Sequence, residues 1–343
     1  MQVGCRKNRL NLIASLLPVM LAILATGCSM HALIKPGEDS ASVEITATRI
    51  TDRAWYFRGE SGMASQANRG FMSNAGFVVT GDGVVVFDAL ASPALGRAML
   101  REIGRITDQP VKYVVVSHYH ADHFYGLQAF KAQGAAILAD QAGQAYLNSD
   151  AARERLAQRR EALGPWVDAN TRLVAADRWL RLSPEEPMTF ELGGQTFRVM
   201  SAAHAHAPGD LMLYVPGQSL LFAGDVYATG RLPFVVDGNS RQWLDAIDRI
   251  ASAAPEHVVP GHGRVSDNVE RDVQLTRRYI EYLRKTMGAA ADNLMTFEQA
   301  YAETDWSAFE KLPAFAEANR RNAYSVFLEM QEDSFGESTP DAP

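Results

Sequence analysis

Short apolar runs and helical spacings alternate along most of the chain. The first runs are "VEITATRI", "AWYFR", "NAGFVVT" and "GVVVFDA". They are rich in β-branched and aromatic residues and bounded by Gly, Asp and Ser, which predicts strands, and "TGDG" between the last two is a hairpin turn signal. Ser92 followed by Pro93 suits the start of a helix, and Leu95, Met99 and Ile103 then fall on one face. "VKYVVVS" (111–117) is apolar throughout, as in a strand buried on both faces. A helical stretch from about Asp140 to Leu163 is expected next, then a second β-rich series: "MTFEL", "QTFRVM", "LMLYV" and "SLLFAGD". Ser240 reads as the cap of "RQWLDAIDRIASA", and "HVVPGHG" as a last short strand and turn. Beyond Gly263 the pattern is helical. In "VERDVQLTRRYIEYLRKTM", Arg277, Arg278, Arg284 and Lys285 read as a solvated face beside Glu270, Asp272 and Glu281. This order predicts an α/β fold with two sheets packed together and helices outside.

The N-terminus has a different character. Arg6, Lys7 and Arg9 precede an apolar run, 10–25, too short to span a bilayer comfortably and interrupted by Asn11, Ser15 and Pro18. A basic segment, a short apolar one and small residues after it describe a signal peptide. "LATGCS" resembles a bacterial lipobox, which implies cleavage before Cys28 and lipid on that cysteine; Ala25 departs from the usual leucine. The expected organisation is a lipoprotein-type signal peptide (1–27), a tether (28–42), a main domain (43–264) and a helical C-terminal extension (265–343). Export to the periplasmic side is expected, with the outer membrane favoured because Ser29 follows the cysteine. Cys5 and Cys28 are the only cysteines, so the domain has no disulfide and no thiolate ligand. Without residues 1–27 the chain has 30 basic and 40 acidic side chains, a net charge of −10. Nucleic acid is a poor partner for such a chain. Composition leaves the oligomeric state open.

The chemistry-bearing residues gather at strand ends. "VVVSHYHADHFYG" (114–126) places His118, His120, Asp122 and His123 within six residues. In an extended segment His118 and His120 face the same way and can grip one ion, while Asp122 and His123 turn towards a second. Further along stand "AAHAHAPGDLMLY" with His204 and His206, "LFAGDVY" with Asp225, and "VVPGHG" with His262. His31, in the tether, and His257, at a strand start, lie outside these places.

In order, the four motifs resemble those of the metallo-β-lactamase superfamily: His-x-His-x-Asp-His, a histidine before "xPGD", Gly-Asp and Gly-His. The resemblance covers roughly residues 43–264 and implies an αββα four-layer sandwich with the helical extension appended. It also implies two zinc ions, with iron or manganese possible, near one sheet edge. The first would take His118, His120 and His206, and the second Asp122, His123 and His262, with Asp225 bridging. The family's Gly-His-Thr-x-Gly-Asp pattern selects His206 over His204, which becomes a pocket or supporting residue. Ala205 and Ala207 stand where the pattern has glycine and threonine, so hydroxyl support from that threonine is missing. Asp88, ending "GVVVFD", matches an aspartate that supports a ligand from behind.

Such a pair of ions can share a water and lower its pKa towards about 7, making a bridging hydroxide the nucleophile. Asp122 would orient it, and Tyr125 and Tyr227 are candidate donors to a developing oxyanion. Gly-Asp at the bridging position resembles the glyoxalase II-like branch, and "FAGDVYATGRLPFVVDGNSRQWLDAIDRI…VVPGHG" resembles exported zinc hydrolases associated with quinoprotein systems. The implied activity is hydrolysis of a small-molecule ester, lactone, thioester or similar bond, with Arg231 as the candidate base for an anionic substrate. Alternatives are a zinc β-lactamase, a mononuclear iron persulfide dioxygenase-like oxidoreductase, a nuclease, which the acidic charge disfavours, and a metal-binding lipoprotein without catalysis.

Overall fold

The computed structural model describes residues 41–336 apart from 236 and 267, so the expected signal peptide, most of the tether, Cys28 and His31 lie outside the described residues. The first series of runs forms β1 (Ala47–Arg49), β2 (Ala54–Phe57), β3 (Ala75–Val79) and β4 (Val84–Phe87), each antiparallel to the next. Helix α1 (Pro93–Ile106) leads to β5 (Val111–Val115), then α2 (Ala121–Phe124), α3 (Leu127–Ala132) and β6 (Ala136–Asp140). α4 (Ala142–Leu147) and α5 (Asp150–Leu163) precede β7 (Arg178–Leu180). β4 to β7 run parallel and complete a seven-stranded sheet in sequential order. A second sheet, in the order β12-β11-β10-β9-β8, holds β8 (Met188–Leu192), β9 (Gln195–Ser201), β10 (Leu211–Val215), β11 (Leu220–Ala228) and β12 (His257–His262). α6 (Ser240–Ala253) connects the last two, and α7 (Val269–Asp292), α8 (Phe297–Glu303) and α9 (Phe315–Gly336) follow.

Strand alternation builds the layers. In β4, Val84 and Val86 join an apolar cluster with Leu95, Met99 and Ile103 of α1, whereas Val85 and Phe87 point into the space between the sheets. There they meet Leu211, Leu213 and Phe222 of the second sheet. Met212 and Leu221 face the other way, towards Trp243 of α6 and Tyr279, Ile280 and Leu283 of α7. Both faces of each sheet are thus covered, which is why the strands read as continuous apolar runs. The result is helix, sheet, sheet, helix: the αββα sandwich.

Ser92 Oγ accepts from Leu95 N at 3.1 Å and Pro93 opens α1, as its sequence predicts. Four details differ. β6 and β7 are additional strands; β7 is only three residues long and is defined by pairing with β6. The expected helix from Asp140 is two helices, because Ser149 caps α5 through Ala152 N. Asn239, not Ser240, caps α6. Arg284 faces inward, donating to Ser240 at 2.6 Å and Glu329 at 2.9 Å, so α7, α6 and α9 are tied together rather than solvated there. The C-terminal helices share one core with the second sheet.

Direction within the sheets positions the site. β4 and β5 are parallel, so Asp88 and the histidine-rich loop leave the same edge. β9, β11 and β12 also share one direction, which carries the loop after β9, Asp225 and His262 to one edge of the second sheet.

Candidate metal centre

The loop after β5 is built on Asp88. That residue has φ 62°, a left-handed conformation uncommon without glycine. It aims a fully buried carboxylate back at the loop. Oδ1 accepts from Ser117 N at 2.7 Å, and Oδ2 from Ser117 Oγ at 2.8 Å and from His123 Nδ1 at 2.8 Å. Since Ser117 Oγ donates to Asp88, it accepts from His118 Nδ1 at 2.9 Å. Two imidazoles are therefore held by their outer nitrogens, which leaves Nε2 of each with a lone pair.

The remaining histidines are held in the same way. His206 Nδ1 donates to the Phe234 carbonyl and His262 Nδ1 to the Met72 carbonyl, each at 2.8 Å, and His120 Nε2 lies 3.1 Å from the Asp237 carboxylate. The loop carrying His206 is shaped by Asp210, whose buried Oδ2 accepts from the backbone of His206 at 2.6 Å and Ala207 at 2.9 Å. Asn74 fixes the turn after β12, donating to Pro260 at 2.8 Å and Gly263 at 2.9 Å. Asp225 is aimed by a break in strand register around Gly224, at φ +54°. Gly261 clears its way, since a Cβ there would come within 1.8 Å of Asp225 Oδ1.

Five inner nitrogens and two carboxylates thus converge. His118, His120 and His206 form one possible ligand group, Asp122, His123 and His262 another, and His118, His123 and Asp225 a third that overlaps both. Asp225 Oδ2 lies 3.4 Å from His206 Nε2 and 3.3 Å from His262 Nε2, so one carboxylate touches both histidine sets. Among the described residues, His118 Nε2, His123 Nε2 and Asp225 Oδ1 are buried without a hydrogen-bond partner, a costly state unless a cation collects them. Imidazole and carboxylate without thiolate suit zinc, and also iron or manganese. The residues fit such ions.

Electrostatics point the same way. Burial raises the Asp225 carboxyl, but His262, His123 and His206 outweigh it and hold it well below the usual range. Asp122 is likewise raised by burial and lowered further by His123 and His262. Burial disfavours charge on His262, yet Asp225 and Asp122 push it up to about 9, and His123 is pushed up by Asp225, Asp122 and Asp88. His206 falls to about 4 and His118 well below its usual value, chiefly through burial. Two charged carboxylates thus require positive charge beside neutral imidazoles. A divalent ion at the centre would supply it.

His204 stands apart from these groups. Its Nε2 meets the Asp237 carbonyl at 2.7 Å, steadying the loop whose carboxylate holds His120. The two tyrosines correct the expectation of oxyanion donors. Tyr227 turns its hydroxyl to the Val269 carbonyl at 3.4 Å, beside Ser266, at the start of α7. Tyr125 is 1% exposed and packs on Phe124 among apolar residues, its hydroxyl without a hydrogen-bond partner among the described residues. Arg231 lines a cavity of about 300 Å³ with Arg58, Met63, Met72, Phe234 and Glu317. That cavity adjoins the centre through Met72 and Phe234, the residues whose carbonyls hold His262 and His206. Burial lowers the Arg231 pKa, while Asp225, Asp122 and Glu317 act against it. The sequence marks Asp210 only as part of the "PGD" motif and gives no local sign of Asp237 or Asn74.

Residues 68–262 match the sequence model of the metallo-beta-lactamase superfamily. A linear primary-alkylsulfatase from a Pseudomonas species is 24% identical over 236 residues, 59% of this chain and 44% of that protein. A hydroxyacylglutathione hydrolase from Rhodobacter capsulatus is 26% identical over 178 residues, 46% of this chain and 57% of that one. The chain therefore spans about half the length of the curated relatives it matches. Among solved structures, a stereoselective inverting sec-alkylsulfatase from Pseudomonas sp. superposes with TM-score 0.66 at 18% identity, over 87% of this chain and 52% of its own. A metallo-beta-lactamase from Pontibacter korlensis gives 0.54 at 21% identity, over 69% and 99%. The matched residues span more than half of the chain and contain all seven converging side chains from His118 to His262, and the chain belongs to the metallo-β-lactamase superfamily.

Proposed function

We propose that the protein is a metal-dependent hydrolase with a two-ion centre, acting on an ester, lactone, thioester or similar bond of a small molecule. The observation that carries this reading is the set of five imidazoles pinned by outer nitrogens, with their inner nitrogens gathered around Asp122 and Asp225. His118, His120 and His206 would hold one ion, Asp122, His123 and His262 the other, and Asp225 both. Zinc is the proposed metal. Bound there, such ions supply a Lewis acid and lower the pKa of a water molecule towards about 7. Asp122, 13% exposed, would orient that water through a carboxylate oxygen. Met63, Met72 and Phe234 offer the adjoining cavity an apolar lining, and Arg231 and Arg58 offer charge for an anionic substituent.

Two relatives are named a linear primary-alkylsulfatase and a hydroxyacylglutathione hydrolase, which supports an ester-type bond. The test is metal content together with a panel of p-nitrophenyl esters, lactones, thioesters, an alkyl sulfate and nitrocefin. Esters, lactones or thioesters are expected to turn over at least about tenfold more efficiently than nitrocefin, about 1.4 kcal/mol in transition-state stabilisation. Arg231→Ala should raise KM for anionic substrates and spare neutral ones. Nitrocefin as the fastest substrate would favour a β-lactamase. A single iron with oxygen consumption on persulfides would favour an oxidoreductase.

We also propose export and lipid attachment at Cys28, which rest on the basic N-terminal segment, the apolar run after it and "LATGCS". Cys28→Ser should move the protein out of membrane fractions, into a soluble pool or an uncleaved precursor. A soluble wild-type protein with another N-terminus would exclude the anchor.

A further inference from the structure

We infer that Asn322, on α9, positions the centre by clamping the loop that holds His206; this rests on the reading of His206 as a ligand. The Phe234 carbonyl is the acceptor that fixes the His206 ring. Both of its flanking residues are bound by one side chain: Asn322 Oδ1 accepts from Val235 N at 2.8 Å, and Asn322 Nδ2 donates to the Pro233 carbonyl at 2.7 Å. Asn322 is fully buried and is itself held, with Nδ2 3.0 Å from the Tyr279 hydroxyl. That hydroxyl donates to Asn319 at 3.0 Å, and Asn319 donates to Tyr301 at 3.1 Å. Leu232 N adds a bond to the Pro313 carbonyl at 3.0 Å, and Glu329 accepts from Ser240 N at 3.0 Å.

The loop from Arg231 to Ser240 thus hangs from the C-terminal helices and their connection at Leu232, at Pro233 and Val235, and at Ser240. It carries the carbonyl that orients His206, the Asp237 carboxylate that meets His120, and Arg231 in the cavity. All of α9 lies beyond the residues matched to the family, so this part of the chain supplies a support that the metal-ligand motifs do not contain. A primary amide is suited to the task because it offers a donor and an acceptor in one plane, and both are used here on backbone groups that would otherwise be buried unpaired.

The test is zinc affinity of stripped and reloaded protein, measured by competition with a chromophoric chelator, beside thermal melting and circular dichroism. Asn322→Leu should lower affinity at one site by about 10–100-fold, the usual effect of removing a group behind a ligand. Asn322→Ser, whose hydroxyl cannot span both peptides, should shift affinity in the same direction if the leucine variant does not fold. Val326→Ala is the control, buried one turn along α9 in the same core. It should lower the melting temperature without changing zinc affinity. Unchanged affinity in a folded Asn322 variant would overturn the inference, as would an equal loss in Val326→Ala at matched destabilisation. A wild-type protein that takes up no divalent metal would instead refute the metal reading, before any variant is compared.

Discussion

Asp225→Ala is expected to lower kcat/KM by at least about 10³, equivalent to about 4 kcal/mol of transition-state stabilisation, and to reduce bound metal. The size of the effect follows from position. Asp225 meets His123 at 3.3 Å through Oδ1, and His206 at 3.4 Å and His262 at 3.3 Å through Oδ2. Its loss removes one of two central negative charges and a shared carboxylate ligand, so the remaining side chains would hold a cation less tightly. The fold should persist, because β11 is held by pairing with β10 and β12 rather than by this side chain. Asp225→Asn keeps the volume and separates charge from shape. Metal analysis and steady-state kinetics read both effects. Full metal content with near-normal turnover in the alanine variant would refute a bridging role.

His206→Ala is expected to lose at least one metal ion and nearly all activity, whereas His204→Ala should retain metal close to the wild-type level. The two residues are one apart from being neighbours, yet their surroundings differ in kind. His206 is buried against Trp243 at 5.6 Å between ring centroids, with Nε2 3.0 Å from His120 Nδ1. Two lone-pair nitrogens at that separation require a proton or a metal between them. His204 instead caps the Asp237 carbonyl, and its loss loosens a loop that other bonds also hold. Its expected effect is no more than about tenfold on kcat/KM, through His120. Metal retained by His206→Ala and lost by His204→Ala would reverse the assignment.

The sequence determined the layers and the list of converging side chains. Strand and helix periodicities arise from contacts two to four residues apart, so the runs at β3, β4, β5, β10 and β11 could be read locally, as could the Ser92-Pro93 start of α1. The spacing of His118, His120, Asp122 and His123 is likewise local. Asp225, His206 and His262 became legible through the order of motifs in a known family. Tertiary structure alone decided what holds them. The acceptors behind His206 and His262 are main-chain carbonyls of Phe234 and Met72, which every residue type possesses and no composition marks. Asp237 stands in a turn-like "VDGNS", and Asn322 lies 116 positions after His206. Tyr125, at the end of α2, and Tyr227, near the end of β11, sit beside ligands in sequence but point elsewhere, since a side chain's direction at an element's end depends on the partner it finds across the fold. β7 also escaped local reading, because a three-residue strand exists only through hydrogen bonds to a neighbour far away in the chain.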